Sequence, residues 1–344
     1  MSLQTTDSMQ VAHITGVNQV ELMPQPLPVC GADDVILDVQ QCGICGSDIG
    51  YASMGGLLGP GQPMALGHEL VGTVSEIGSN VSHVSVGDRV VMNPEANENR
   101  IGNMAPEGGF GPRLLVKGAA LDTDAVQKIP ASMPDDVAAL VEPLSVGMHA
   151  VHQGEVTQQD KVVIFGAGTI GLCALMTLKH YGVNDVVVVD LSAQRLAKAA
   201  ELGAITCNPN DGDLNEQLRK QHGEASYFGM PIPASNVYIE ATGATAVFDQ
   251  AVSFAQLGSR IVVVGVHKAP VQLDLISVLA KELRITGSMA YPTEFPQVIE
   301  MLSKTDIDPT KIITHHFNLS DFVEAFSTAQ DADSAIKVMV NCQL

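Results

Sequence analysis

The chain has 344 residues, a length that favours two domains over one. With 46% hydrophobic and 16% charged residues, it is expected to fold into globular domains rather than to remain disordered. A formal net charge of −20 argues against nucleic acid and anionic membrane surfaces as partners, and neither a basic leader nor an apolar run of about 20 residues is present. We therefore expect a cytoplasmic protein with no nucleic-acid or membrane partner.

The first part of the chain is predicted to be mostly β-structure. Between residues 11 and 116 it contains short β-branched runs separated by turn residues, at 35–39, 72–74 and 88–91. Residues 93–111 are polar and glycine-rich, which is typical of a long surface loop. This texture predicts a first domain over residues 1–154.

The second part alternates short apolar strands with helical segments. Predicted strands lie at 161–165, 185–189, 236–240, 260–264 and 283–286. Predicted helices lie at 170–181, 193–202, 246–257 and 275–279. Because strand and helix alternate, we expect a parallel sheet with right-handed crossovers over residues 155–288.

The alternation ends near residue 288. Residues 289–344 are predicted to form a helix at 293–303, a strand at 312–317, a helix at 320–330 and a strand at 335–340. We expect this segment to return to the first domain.

A dinucleotide-binding pattern lies at the start of the second domain. Gly166, Gly168 and Gly171 form a G-x-G-x-x-G motif between a predicted strand and a predicted helix. Asp190 ends the next strand. A carboxylate there accepts hydrogen bonds from the ribose hydroxyls of NAD and repels the 2′-phosphate of NADP, so the pattern favours NAD over NADP. Arg195 keeps NADP as an alternative, and a glycine-rich turn without any ligand is the other interpretation. The remaining residues assigned to cofactor binding are Thr169, Ile170, Thr242, Val264 and Val266.

A metal-binding pattern lies in the first domain. It consists of a thiolate, an imidazole and two carboxylates, which are side-chain types that bind zinc: Cys45, His68, Glu69 and Glu142. A structural zinc site usually has four Cys or His ligands, whereas this mixture is typical of a catalytic zinc. Each residue taken singly also fits an ordinary structural role. We expect structural or exposed roles for Cys42, which has no second cysteine pair to complete a zinc ribbon, and for His149, His152, His315 and His316.

With both patterns in this order, the sequence resembles the zinc-dependent medium-chain dehydrogenases, and most of all their sorbitol (polyol) and butanediol dehydrogenase branch. The motifs that carry the resemblance lie at 43–48, 66–69, 86–90, 142–146 and 190–195. The resemblance implies an α/β fold, with a GroES-like, mostly β catalytic domain and a Rossmann domain with a doubly wound parallel sheet. It also implies an active site in the cleft between these domains.

The resemblance implies roles for particular residues. Cys45, His68 and Glu69 match the zinc ligands of the sorbitol dehydrogenase pattern, and Glu142 matches a residue that binds the metal directly or through water. Ser47 matches the hydroxyl that relays the substrate proton, and Tyr51 matches a tyrosine near the substrate. The resting ligand, Glu69 or Glu142, stays open at this point.

Three departures from the family pattern refine the prediction. The segment 93–111 contains no cysteine, so we expect one catalytic zinc and no structural zinc. Ile49-Gly50-Tyr51 stands where polyol dehydrogenases have His-Tyr after Ser-Asp, so a possible imidazole in the proton relay is missing. Ala290-Tyr291 stands where sorbitol dehydrogenases have Arg-Tyr, which removes a donor suited to several hydroxyls and favours smaller substrates.

The predicted activity is hydride transfer from a secondary alcohol or vicinal diol to NAD, with ketone reduction as the reverse reaction. A threonine-type amino-alcohol dehydrogenase and a catalytically silent NAD-binding protein are the alternatives. Relatives in this branch are commonly tetramers or dimers, so a homotetramer or homodimer is expected.

Overall fold

The structure is a computed structural model that describes residues 8–59, 61–304 and 307–343. The chain divides into two compact units. The first unit combines residues up to Glu142 with those from Ile313 onward, and the second unit is Pro143–Ile312. The domain boundaries predicted after residues 154 and 288 both lie inside the second unit. Within that unit, His149 Nδ1 and Glu294 Oε1 are 3.0 Å apart, so a hydrogen bond links the residues around 149 to those around 294.

The first unit is built on two β-sheets. Its strands within the described residues are β1 (Ser8–Gly16), β2 (Gln19–Pro26), β3 (Val35–Gly43), β4 (Met64–Ala65), β5 (Glu69–Ile77), β6 (Arg89–Met92), β7 (Arg113–Val116), β8 (Val126–Lys128), β17 (Ile313–Asn318) and β18 (Lys337–Asn341). A seven-stranded sheet has the order β17-β18-β3-β5-β6-β8, with β7 also paired to β3. A three-stranded sheet has the order β2-β1-β4.

Strand β3 lies inside the larger sheet, and all of its residues are buried or half-buried. Val35, Leu37 and Val39 are fully buried, and they pack in one apolar core with Phe110 and Phe322. The C-terminal strand β18 pairs antiparallel with β3, so residues from the end of the chain lie beside Gly43.

The second unit contains a six-stranded parallel sheet. Its strands are β9 (Val162–Phe165), β10 (Val186–Val189), β11 (Ile205–Cys207), β14 (Val237–Glu240), β15 (Arg260–Val263) and β16 (Arg284–Gly287). A separate hairpin consists of β12 (Glu224–Tyr227) and β13 (Met230–Pro233). The sheet order is β11-β10-β9-β14-β15-β16, which is the order of a dinucleotide-binding doubly wound sheet. From β9, the strands β10 and β11 are added on one side and the strands β14, β15 and β16 on the other, so the strand order reverses between β9 and β14. Ligands bind such sheets at this switch point.

Ten α-helices occur among the described residues. They are α1 (Gly46–Met54), α2 (Asp135–Ala138), α3 (Val141–Gln153), α4 (Thr169–His180), α5 (Ala193–Glu201), α6 (Leu214–His222), α7 (Thr245–Phe254), α8 (Leu275–Lys281), α9 (Glu294–Lys304) and α10 (Phe322–Ala329). None of the helices in the described ranges is long and apolar enough to cross a membrane.

The predicted fold class is confirmed, and so are the five parallel strands predicted from apolar runs. The sequence reading missed β11, α6 and the hairpin. Strand β11 has only three residues, two of them not fully buried, so it carries no apolar run.

The segment 93–111 was expected to be a surface loop, but Ile101 and Phe110 are buried in the first unit's core. The backbone N–H of Gly109 donates to the carbonyl of Gly67 at 2.9 Å, so the segment folds back on the chain beside His68.

Candidate metal centre and dinucleotide-binding edge

Three side chains of the first unit form a candidate metal centre. Cys45, His68 and Glu69 each offer a ligand atom, and these atoms all lie within 4.8 Å of one another. Among the described residues, no other set of three or more His, Cys, Asp and Glu side chains meets this criterion. The sheet register explains the meeting, because β3 and β5 pair Gly43 with Glu69 and so place the turn after β3 beside the start of β5.

The donor set fits a zinc ion. Glu69 is fully buried, and its Oε1 atom has no hydrogen-bond partner among the described residues. A buried carboxylate oxygen without a partner is costly in a folded protein, and a cation beside it removes that cost. A thiol, an imidazole and a carboxylate are also the ligand types that zinc takes in catalytic sites.

A buried carboxylate lies behind the imidazole. Asp48 Oδ1 is 3.6 Å from His68 Nδ1, and Asp48 Oδ2 accepts a hydrogen bond from the Cys45 backbone N–H at 2.9 Å. Burial raises the pKa of the Asp48 carboxyl above its usual range. Carboxylates in this position orient metal-binding histidines, so Asp48 supports both Cys45 and His68.

The electrostatics of the cluster favour a positive charge. Burial works against a charged His68, but the charges of Asp48 and Cys45 outweigh it and raise the pKa of the imidazole well above its usual range. A hydrogen bond with Cys45 and the charge of Glu142 act in the same direction. The cluster therefore attracts a cation, whether a proton or a metal ion.

Two hydroxyls lie next to the cluster on one face of α1. Ser47 Oγ is 3.4 Å from His68 Nε2, and the side chains of Ser47 and Tyr51, one helical turn apart, share a hydrogen bond. Burial, followed by the charges of Cys45 and Asp48, raises the pKa of Tyr51 to about 12. Tyr51 therefore stays protonated near neutral pH.

Glu142 is close to the cluster without belonging to it. It lies in the first turn of α3, is 7% exposed, and is near enough to affect the pKa of His68. It is outside the group of ligand atoms that lie within 4.8 Å of one another. The geometry thus brings Cys45, His68 and Glu69 together and leaves Glu142 as a neighbour.

The remaining cysteine and histidines have structural surroundings. Cys42 is fully buried outside the cluster, and burial raises the pKa of its thiol well above the usual range. The Nδ1 atoms of His149 and His152 both lie 3.0 Å from Glu294 Oε1. His316 pairs with Asp136 at 2.9 Å, and His315 contacts Thr314.

The glycine motif of the second unit has the geometry that nucleotide binding requires. Gly166 follows β9 with φ +101°, in the left-handed region that favours glycine. Gly168 precedes α4, which starts at Thr169 and continues through Ile170. A Cβ on Gly171 would collide with the carbonyl oxygen of Gly166. The first and third glycines are thus needed for the turn and for close packing of helix on strand.

The carboxylate of Asp190 is fixed at the end of β10. Its Oδ2 accepts from the Ala167 N–H at 2.7 Å, and its Oδ1 accepts from the Ser192 N–H at 2.8 Å. Arg195 lies beside the turn, since a Cβ on Gly168 would be 3.7 Å from its Nη1 atom. The structure therefore brings the glycine turn, Asp190 and Arg195 together at one edge of the sheet.

The other predicted cofactor residues follow the neighbouring strands. Thr242 comes after β14, and Val264 and Val266 come after β15, with Val266 82% exposed. Glu240, which the sequence reading missed, is fully buried at the end of β14, and its Oε1 accepts from the Thr242 N–H at 2.7 Å. His267 Nε2 lies 2.9 Å from the other oxygen of Glu240. An acidic residue ending an apolar strand just before Thr-Gly was the signal that could have revealed it.

Comparisons with known proteins identify the family. The alcohol dehydrogenase GroES-like domain matches residues 31–131, and the zinc-binding dehydrogenase family matches residues 169–304. The chain is 35% identical to sorbitol dehydrogenase of Rattus norvegicus, over 96% of this chain and 94% of that protein.

Solved structures give the same result. The 2R,3R-butanediol dehydrogenase of Bacillus subtilis matches with a TM-score of 0.84 and 27% identity, over 97% of this chain and 99% of that one. An alcohol dehydrogenase from E. coli CFT073, complexed with NADH, matches with a TM-score of 0.84 and 28% identity over the same shares. The chain therefore belongs to the zinc-dependent medium-chain dehydrogenases, in the sorbitol and butanediol dehydrogenase branch.

Proposed function

We propose that the protein oxidises a small secondary alcohol or vicinal diol by transferring a hydride to NAD, and that it reduces the ketone in the reverse direction. The observation that carries the proposal is the cluster of Cys45, His68 and Glu69, in which the buried Glu69 Oε1 lacks a partner among the described residues. A protein that only bound a nucleotide would have no use for such a cluster.

Cys45, His68 and Glu69 would hold the zinc ion, and Glu142 would lie beside it. When bound, zinc acts as a Lewis acid that lowers the pKa of an alcohol oxygen. Glu69 is the better candidate for the resting ligand, because Glu142 lies outside the compact group of ligand atoms. We further propose one zinc per chain, which is supported by the absence of cysteine from segment 93–111.

Ser47 and Tyr51 supply a route for the substrate proton. The Ser47 hydroxyl, beside His68, accepts the proton of the alcohol and passes its own proton on. Tyr51, hydrogen-bonded to Ser47 and protonated near neutral pH, is the next group in the route. This pair takes the place of the missing imidazole and carries the proton to solvent.

The fixed carboxylate of Asp190 supports NAD as the preferred cofactor. Two backbone N–H groups hold it, so it has little freedom to turn away from a 2′-phosphate. Arg195 would then stack on the adenine or contact the pyrophosphate rather than select NADP.

The proposed substrates are small. Sorbitol and butanediol dehydrogenases are among the proteins this chain is similar to, which supports polyols and diols as a class. Ala290 offers no donor for additional hydroxyls, which favours short diols and secondary alcohols over long polyols.

We also propose that the chain forms a homodimer or homotetramer. Helix α8 has an apolar face exposed to solvent, which is typical of a surface that a partner covers. Its residues are Leu275, Ile276 and Leu279, which are 69%, 75% and 79% exposed. Light scattering of the protein and of a Leu279→Glu variant tests this, with a smaller assembly expected for the variant.

The activity is tested by NADH formation from a panel of secondary alcohols, vicinal diols, polyols and threonine, before and after metal removal by a chelator. We expect chelator-sensitive oxidation of short diols or secondary alcohols, restored by added zinc. Cys45→Ser is expected to lose both zinc and turnover, whereas Cys42→Ala, which removes a nearby thiol outside the cluster, keeps both. Activity that survives verified metal removal would refute the proposal.

A further inference from the structure

Lys337 is a buried charge inside an apolar strand. It begins β18, in the sequence Ala335-Ile-Lys-Val-Met-Val340, and is 1% exposed. A lysine is seldom buried to this degree, because removing its ammonium group from water is costly unless a partner of opposite charge is present. Its partners therefore indicate why it is there.

The ammonium group joins the metal cluster to the strand that leads to it. Lys337 Nζ donates to Glu69 Oε2 at 2.5 Å and to the backbone carbonyl of Ile44 at 2.9 Å. Ile44 immediately precedes Cys45. Lys337 therefore contacts one candidate ligand, Glu69, directly and the residue next to a second candidate ligand, Cys45. The other oxygen of Glu69, Oε1, is the one without a partner among the described residues.

The lysine reaches Glu69 across a strand that has no side chain at the crossing point. β18 pairs Met339 with Gly43 of β3, and β3 pairs Gly43 with Glu69 of β5. A Cβ on Gly43 would collide with Glu69 Oε2 and would lie 3.3 Å from Lys337 Cδ. The ion pair therefore depends on a glycine at position 43.

We propose that Lys337 is a positioning residue for the zinc site: by holding Oε2, it makes Glu69 a one-oxygen ligand with Oε1 directed at the metal. This inference rests on the zinc site of the proposed function. Of the two oxygens of Glu69, Oε2 accepts the hydrogen bond from Lys337 and Oε1 would bind the metal.

The ion pair also affects the charge of the centre. Lys337 offsets the negative charge of Glu69, so a zinc ion held by Cys45, His68 and Glu69 keeps more of its own positive charge. The C-terminal strand thus belongs to the metal centre, although it contributes none of the proposed ligands.

The test measures metal affinity and coordination in the full-length protein. Metal is removed from the parent, Lys337→Met, Lys337→Arg and Lys281→Met, and each is titrated with zinc against a competing chelator and with Co²⁺ by absorption spectroscopy. Lys281 is the matched control: it is 3% exposed and donates to the carbonyls of Val252 and Ser253, in the other unit.

We expect Lys337→Met to lower zinc affinity about 10- to 100-fold, the usual effect of losing a group that orients a ligand. We also expect its Co²⁺ spectrum to change, because Glu69 is free to bind through both oxygens. Lys337→Arg keeps the charge and is expected to restore most of the affinity. Lys281→Met is expected to lower the melting temperature yet leave zinc affinity and the Co²⁺ spectrum unchanged.

Parental zinc affinity and a parental Co²⁺ spectrum in Lys337→Met would overturn the inference. If that variant does not fold, Gly43→Ala answers the same question, since it keeps both charges and displaces the pair; unchanged metal binding in that variant would overturn the inference too. A parent that binds zinc but oxidises no alcohol would refute the proposed activity alone. A parent that binds no zinc would refute both.

Discussion

The metal centre and the dinucleotide-binding edge are built in opposite ways. The glycine turn is local: Gly166, Gly168 and Gly171 lie within one strand-to-helix connection, and Asp190 ends the next strand. The metal centre joins distant parts of the chain, because Cys45 follows β3, Glu69 begins β5, and Lys337 comes from the C-terminal strand β18. The first region is specified by a short motif and the second by strand register.

This difference predicts how each region fails. A change in the glycine turn acts on the backbone that approaches the cofactor, whereas a change in the metal centre acts on a ligand, on its support or on the register that brings them together. Substitutions in one unit should therefore leave the binding property of the other unit intact.

The largest effect is expected from His68→Ala. Loss of this ligand removes zinc and with it several kcal/mol of charge stabilisation, so turnover should fall about 10³-fold or more. NADH binding, measured by fluorescence titration, should remain within a few-fold of the parent. His315→Ala, a histidine of the same unit outside the cluster, is the control and should keep zinc and turnover. Loss of NADH binding in His68→Ala would contradict the independence of the two regions.

Ser47→Ala separates proton transfer from metal binding. The variant should retain zinc, because Ser47 is beside His68 and is not a proposed ligand, while kcat should fall about 10²-fold. Tyr51→Phe should lower kcat less, because water can replace the second group of the route. Zinc content and steady-state kinetics are the measurements, and full turnover in Ser47→Ala would remove Ser47 from the mechanism.

Gly168→Ala tests the backbone approach at the glycine turn. A Cβ there meets nothing nearer than Arg195 Nη1 at 3.7 Å, so the melting temperature should not change. The added methyl should still obstruct the pyrophosphate and weaken NADH binding about tenfold. Gly171→Ala should lose both affinity and stability, because its Cβ collides with the Gly166 carbonyl. Parental NADH affinity in Gly168→Ala would show that the cofactor does not approach this turn.

A further prediction concerns stability and its pH dependence, with no expected change in zinc or NADH binding. Asp160, 5% exposed, accepts hydrogen bonds from Thr157 N–H at 2.6 Å and Asn236 Nδ2 at 2.7 Å and pairs with Arg260. Despite the opposing effect of burial, these donors lower the pKa of its carboxyl. We expect Asp160→Asn to lose about 2 kcal/mol of unfolding free energy near neutral pH.

The pH dependence gives the sign of this effect. Because the folded pKa lies below the unfolded value, the stabilisation is present above the unfolded pKa and is lost as pH falls through the folded pKa. The difference between parent and Asp160→Asn should therefore shrink in acid. Urea unfolding across pH measures it, with Asp211→Asn, an exposed position, as the control. A difference that grows in acid would contradict the assignment.

The features that could be predicted from sequence are the local ones, and those that could not depend on strand register. The five apolar strands, the glycine turn and Asp190 were predictable because their signals are contiguous. The ligand types at Cys45, His68 and Glu69 were also predictable, whereas their meeting depends on the pairing of Gly43 with Glu69, which no local pattern encodes.

Lys337 and Glu240 show what sequence reading leaves out. Each is a charged residue within or at the end of an apolar strand, and each is buried with a partner distant in sequence or across a turn. A lysine between Ile336 and Val338 signals that some acidic group must face it, but only the order of β18, β3 and β5 identifies Glu69 as that group.

The proposed activity depends on one zinc ion held by a thiolate, an imidazole and a carboxylate at Cys45, His68 and Glu69. X-ray absorption at the zinc edge of the zinc-loaded protein measures this coordination. We expect a single sulfur ligand at about 2.3 Å, with nitrogen and oxygen at about 2.0–2.2 Å as the remaining ligands. A coordination shell with several sulfurs, or with none, would contradict it.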